Sequence, residues 1–190
     1  MRFWIRIVCL LLSLFAAVGA KATDETTALW DAVRNGGHIV IMRHALAPGT
    51  GDPSRFQLDD CTTQRNLSAE GQQQARRTGQ VFRDRGIEIG QVLSSQWCRC
   101  LETARLLDLG PVEPFPVLNS FFRQPGQGQE QTAELRRFVS TSFTGPSKVL
   151  ITHQVNITGL TGVFPQSGEM LVLQPDPKEG FKMSGRIPAF

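Results

Sequence analysis

The sequence predicts an α/β three-layer sandwich with a mostly parallel central sheet flanked by helices. Three observations predict it. First, His38-Ile39-Val40-Ile41-Met42, Gln91-Val92-Leu93-Ser94 and Lys148-Val149-Leu150-Ile151-Thr152 are short runs rich in apolar and β-branched residues. Runs of this kind suit strands buried on both faces of a sheet. Second, segments of helical composition separate them, the alternation expected of a layered α/β domain. Third, 190 residues suffice for one domain with a full core and not for two ordinary ones.

In chain order, Thr26 to Asn35 reads as a first helix ended by Gly36-Gly37. The strand at 38–42 follows. Residues 43–67 are polar, with Gly49, Gly51 and Pro53, and read as a long loop of the kind usually kept for function. Ser68 is a good N-cap for a helix from Ala69 to Arg85, which Gly86 ends. After the strand at 91–94, Trp97 to Leu107 is helical. Val112 to Leu118 is extended but broken by prolines, which suits a sheet edge. A Gly/Gln/Pro loop at 123–128 leads to a helix from Glu130 to Ser140. The strand at 148–152, a short helix from Val155 to Leu160 and a last strand from Glu169 to Leu173 complete the pattern. The tail from Pro175 is Gly/Pro-rich and reads as surface coil.

The N-terminus is organised differently. Arg2 and Arg6 precede an apolar stretch from Ile7 to Ala17, then Val18-Gly19-Ala20 supplies small residues. This is the pattern of a signal peptide at residues 1–20, leaving one domain at 21–190. Cleavage after Ala22 and a retained anchor are the alternatives. The 14 residues between Arg6 and Lys21 fall short of the roughly 20 of a spanning helix, so no stable membrane anchor is expected. A periplasmic or secreted location follows. The formal charge of +3, two of it from Arg2 and Arg6, argues against a nucleic-acid partner. Nothing in the sequence fixes an oligomeric state. In an oxidising compartment disulfides persist, and Cys61 paired with Cys98 or Cys100 is favoured, leaving one thiol. The Cys-Arg-Cys segment lacks companions at metal-ligand spacing.

Three strand ends deliver Arg43-His44, Ser94-Ser95 with Arg99 shortly after, and His153. Ligands of such sheets bind at the carboxyl ends of the strands. Four cationic or cationisable side chains in one crevice repel one another unless an anion sits among them. A phosphoryl group fits, because Arg forks match its oxygens and an imidazole can attack phosphorus. Cysteine-dependent phosphatase chemistry needs Arg six positions after Cys; Leu67, Ala104 and Leu106 stand there instead.

The blocks Ile39-Val40-Ile41-Met42-Arg43-His44-Ala45, Asn66-Leu67-Ser68-Ala69-Glu70-Gly71, Leu93-Ser94-Ser95-Gln96-Trp97-Cys98-Arg99 and Ile151-Thr152-His153, with Gln74-Ala75 and Thr103-Ala104 between, occur in that order. In this the chain resembles the histidine phosphatase, or phosphoglycerate-mutase-like, superfamily over roughly residues 37–174. The resemblance implies that His44 becomes phosphorylated, that Arg43 and Arg99 hold the phosphate oxygens and that His153, as a protonated imidazole, stabilises transferred charge. It implies metal-independent hydrolysis of a phosphomonoester, with no metal and no organic cofactor. Three positions depart from the family. Ala45 replaces a usual Gly, the stretch Leu118-Asn119-Ser120-Phe121-Phe122 lacks the usual Glu, and Gln154 stands where a second branch has Asp. Glu169 is therefore the first candidate for the leaving-group acid and Glu130 the second, each weighed against a solvated surface charge. Gln154 and Asn156 are candidate substrate contacts. Arg65 is read as pairing with a substrate carboxylate or with Asp59 or Asp60, Trp97 as lining the crevice or the core, and His38 as a structural residue.

Export and chain length disfavour a mutase. The expected partner is a small phosphorylated substrate, such as a sugar phosphate, or an envelope phosphate. Likeness to exported envelope-related members with the same Cys-Arg-Cys segment points to lipopolysaccharide. The alternative is a phosphate- or sugar-phosphate-binding module of weak turnover.

Overall fold

The structure, a computed structural model, describes residues 25–190. The leader expected at 1–20 lies outside them. After helix α1 (25–34), strand β1 (Ile39–Arg43) enters the sheet, followed by α2 (Ala69–Asp84), β2 (Ile89–Ser94), α3 (Cys98–Leu107), β3 (Val112–Pro114), α4 (Gly128–Ser140), β4 (Ser147–Thr152), α5 (Gln154–Thr161), β5 (Met170–Asp176) and β6 (Gly180–Ile187). The six strands form one sheet in the order β3-β2-β4-β1-β5-β6. Pairs β1·β4, β2·β4 and β2·β3 are parallel, while β1·β5 and β5·β6 are antiparallel. The α/β sandwich read from the sequence is the fold found.

Alternation along the strands builds two cores. Val40, Met42, Val92, Val149, Ile151 and Val172 face one way, onto Trp30 and Val33 of α1, Phe82 of α2 and Ala104 and Leu107 of α3. Ile39, Ile41, Leu93, Leu150 and Leu171 face the other, onto Leu135 and Val139 of α4 and Ile157 and Leu160 of α5. This period-2 division of a wholly apolar run is what a sheet covered on both faces demands. Ser68 caps α2 as expected, its hydroxyl accepting from Gly71 N. Helix α2 lies against backbone at two points. A Cβ on Gly71 would stand 2.0 Å from the Leu46 carbonyl oxygen, and one on Gly79 1.9 Å from that of Leu107. Only glycine allows these approaches, and the first fixes the segment just after His44.

Two expectations need correction. The segment from Val112 is a strand only to Pro114, at the sheet edge as expected; Pro116–Leu118 is a 3-10 turn. The tail from Pro175 is not coil. Strand β5 runs on to Asp176, whose Oδ1 accepts from the amides of Lys178 and Glu179, and the chain returns as β6. Pro175 and Gly180 serve a hairpin at the sheet edge, where a missing N–H is tolerated.

Candidate active site

Register brings the predicted residues together. Arg43 at the end of β1 pairs with Thr152 at the end of β4, and Ser94 of β2 pairs with Ile151. The ladder continues one residue further, with His44 N donating to Thr152 O and Ser95 N to Ile151 O, both at 2.9 Å. His44, Ser95 and His153 therefore leave the same sheet edge side by side. Arg99 arrives from the first turn of α3. Arg43, His44, Arg99, His153 and Gln154 all line one cavity of about 430 Å³, together with Asp52, Arg65, Trp97 and Asn119.

The hydrogen bonds fix the state of each ring. Nδ1 of His44 lies 2.7 Å from the Ala45 carbonyl oxygen, which only accepts, so Nδ1 carries the proton. Nε2 of His44 accepts from Arg99 Nε at 3.2 Å, so its lone pair faces the cavity guanidinium. Burial, then the charge of Arg99, holds His44 well below the ordinary imidazole pKa. A neutral imidazole is a nucleophile once its Nε2 lone pair turns from the Arg99 N–H to phosphorus. The backbone carbonyl of Ala45 supplies the orientation, so Ala in place of Gly at this position leaves that bond intact.

His153 departs from expectation. Burial and Arg99 push its pKa well below the ordinary value too, so the ring is neutral and not a standing cation. Its Nδ1 accepts from Arg99 Nη2 at 3.3 Å and its Nε2 donates to Ser95 Oγ at 2.8 Å. A histidine whose folded pKa is lowered leaves the folded chain binding fewer protons than the unfolded one. Its stability contribution is present above the unfolded value near 6.5 and falls as pH drops below it. Each ring costs up to about 1.4 kcal/mol per pH unit. Urea midpoints are predicted to fall from about pH 7 to about pH 5, and less steeply in His153→Gln. Equal slopes in the two proteins would contradict a neutral His153.

Arg99 is the hub. Besides the two imidazoles it binds Asp52, with Nη1 2.6 Å from Oδ1 and Nη2 3.1 Å from Oδ2, and its Nη1 reaches the Arg65 carbonyl at 3.4 Å. The pair is nearly dry, with side chains 3% and 6% exposed. Burial would raise the Asp52 pKa, but the bonds and charge of Arg99 win and hold it below the usual value. Arg43 donates Nη1 to the Pro165 carbonyl at 2.9 Å, and its Nε is buried without a partner. Arg65 pairs with neither Asp59 nor Asp60. It donates to the carbonyls of Ala47 and Gly51, and so shapes the loop that carries Asp52.

The expected acids lie elsewhere. The Glu169 carboxylate accepts from Arg186 Nε at 2.6 Å and from Gln166 N at 2.7 Å, outside the cavity lining. Despite burial, Arg186 holds its pKa down, so it keeps no proton to give. Glu169 instead braces the turn that presents the Pro165 carbonyl to Arg43. Glu130 is exposed in the first turn of α4, also off the lining. Asn156 is 1% exposed and donates to the Asn119 carbonyl, so it supports the wall without lining it. Trp97 does line the cavity, stacked on Phe56. His38 bonds the Gly36 carbonyl at the far end of β1. In the stretch without Glu, Asn119 faces the cavity and accepts from Gln96 N and Ser95 Oγ. Sequence reasoning missed Asp52, one of three aspartates in the long loop and unmarked by any motif.

Cys61 bonds Cys98, the first of the two partners considered, and Cys100 stays a buried thiol pushed up to about 12 by burial. The disulfide ties the long loop to the residue before Arg99, and Gln64 Oε1 reinforces the link by accepting from Cys98 N. Closing the 37-residue separation stabilises by about 4 kcal/mol in the chain-entropy model. Reduction is predicted to lower phosphate-ester turnover. Full activity in strong reductant, with the bond shown open by mass, would contradict this. Among the described residues no group of three His, Cys, Asp or Glu is placed to hold a metal ion.

A neutral imidazole beside two inward arginines at a sheet edge defines a site for phosphoryl chemistry. The chain belongs to the histidine phosphatase superfamily: the model of that family's branch 1 matches residues 39–141. Among curated proteins no relative matches. Solved structures share the fold. The protein histidine phosphatase SixA complexed with tungstate is 17% identical, with TM-score 0.54, over 80% of this chain and 96% of that one. A mycobacterial glucosyl-3-phosphoglycerate phosphatase is 17% identical, with TM-score 0.54, over 72% and 89%. Bacillus stearothermophilus YhfR is 15% identical, with TM-score 0.57, over 78% and 95%.

Proposed function

We propose that the protein is an exported, metal-independent phosphatase that hydrolyses a phosphomonoester through a phosphohistidine on His44. The observation that carries this reading is the buried His44 Nε2, neutral and aimed at the Arg99 guanidinium 3.2 Å away. Phosphoryl oxygens on Arg99 and Arg43 would set phosphorus in front of that nitrogen. The His44–phosphorus bond forms as the ester bond breaks, and water then takes the phosphoryl group. The arginines neutralise the equatorial charge that a metal ion carries in other phosphoryl-transfer sites.

For the substrate we favour a sugar phosphate or a lipopolysaccharide phosphate. Gln124, Gln127, Gln131 and Gln154 give the cavity rim amide donors and acceptors suited to hydroxyl groups, and Phe56, Trp97 and Phe122 give it apolar faces. Export rests on the basic and apolar leader before Lys21. The test is hydrolysis of p-nitrophenyl phosphate, glucose phosphates and phosphorylated lipopolysaccharide in chelator. Turnover of the aryl ester supports the phosphatase, and the preferred natural ester identifies its class. A folded protein without turnover on any of them would overturn the reading.

A further inference from the structure

We propose that Asp52 is the leaving-group acid of this site, held on Arg99 until a phosphoryl group takes its place there. This rests on the phosphatase reading above. Four observations carry it. Asp52 is the one carboxylate among the residues that line the cavity. Its two oxygens occupy Nη1 and Nη2 of the guanidinium whose Nε bonds the nucleophile, so it stands one residue from the reacting nitrogen. Every N–H direction of Arg99 has a partner: His44, His153, the Arg65 carbonyl and both Asp52 oxygens. A phosphoryl group that uses the Arg99 fork must therefore displace Asp52. Finally, Asp52 does not depend on Arg99 alone for its position. Arg65 N donates to Oδ1 at 3.2 Å and Trp97 Nε1 to Oδ2 at 3.1 Å. When Arg99 turns to the phosphate, these two donors keep the carboxyl at the cavity wall.

The exchange also changes what Asp52 can do. Paired with Arg99 it is an anion. Beside a dianionic phosphate and without that pair it takes up a proton, since like charges disfavour ionisation. The first step then balances. The His44 Nε2–phosphorus bond forms, the phosphorus–oxygen ester bond breaks, and the Asp52 proton goes to the departing oxygen, giving an alcohol and a carboxylate. In the second step the carboxylate takes a proton from the attacking water as the phosphorus–nitrogen bond breaks, giving inorganic phosphate and free His44. When phosphate leaves, Asp52 loses its proton and returns to Arg99.

The test compares the intact protein with D52N and D52E on two esters, glycerol phosphate with a poor leaving group and p-nitrophenyl phosphate with a good one. Phosphohistidine is measured in each protein by rapid quench. General acid catalysis is worth about 10²–10⁴-fold. D52N is expected to lose about 10²–10³-fold in kcat on glycerol phosphate and at least about tenfold less on the aryl ester. The basic limb of the glycerol phosphate pH profile is expected to vanish in D52N, and D52E to recover part of the rate. Equal losses on both esters would reduce Asp52 to positioning Arg99 and overturn the proposal. Phosphohistidine in all three proteins with that equal loss overturns the acid role alone. Its absence from the wild-type protein together with no turnover of either ester overturns the phosphatase reading and the acid role with it.

Discussion

His44→Ala is expected to lower turnover of p-nitrophenyl phosphate by about 10⁴-fold or more, the scale on which loss of a covalent nucleophile acts. The prediction follows from how little else in the cavity can attack phosphorus. His153 is neutral, but its Nε2 carries the proton that it donates to Ser95 Oγ, so that nitrogen has no lone pair with which to attack. Cys100 lies 3.4 Å from His153 Nε2, yet burial pushes its pKa up to about 12, so no thiolate forms. Melting of the variant beside wild type separates lost chemistry from lost structure. Turnover within tenfold of wild type in the folded variant would assign the attack to another group.

Arg99→Ala is expected to be the most damaging change that spares the nucleophile. Catalysis should fall about 10²–10³-fold, the cost of one preorganised donor, and more if both fork nitrogens act. Stability should fall as well. Removing one member of a buried ion pair leaves the other charged and dry, at about 3–5 kcal/mol. Asp52 would be that survivor, its side chain 6% exposed and keeping only the bonds from Arg65 N and Trp97 Nε1. The double variant with Asp52→Asn should regain most of the lost stability and none of the activity. Arg99→Lys should stay slow, because an ammonium has no fork with which to reach His44 and phosphate together. A destabilisation of Arg99→Ala that Asp52→Asn leaves unchanged would mean that the pair contributes nothing.

The sequence carried the strand ends and what they deliver. Arg43-His44, Arg99 and His153 were legible because parallel strands place their carboxyl ends on one edge, and three short apolar runs marked those strands. The pairing of Cys61 stayed open between two partners. Only the helical phase of α3 separates Cys98, at its start, from Cys100, turned into the core. Strand β6 escapes a reading of the sequence because Pro175 and the glycines after it are coil signals, whereas here Pro175 and Gly180 belong to a hairpin whose period-2 signal, Phe181, Met183 and Ile187, is interrupted at Gly185. The acid was misplaced for a different reason. Glu169 sits beside the site in the backbone, with its carbonyl accepting from Arg43 N, but its side chain turns to Arg186 on β6, the strand not foreseen. Asp52 was invisible because nothing local distinguishes it from Asp59 or Asp60. Its role depends on where the Cys61–Cys98 bond and Arg65 bring a 25-residue loop to rest.

Every role assigned to the cavity residues depends on covalent transfer to His44 Nε2. The direct measurement is rapid quench of the protein with p-nitrophenyl phosphate in chelator, followed by mass mapping of the phosphorylated peptide. Acid-labile, base-stable phosphate on His44, formed faster than turnover and absent from His44→Ala, is the predicted result. Turnover without any phosphohistidine would contradict the claim, and phosphate binding without turnover would make the domain a binding module.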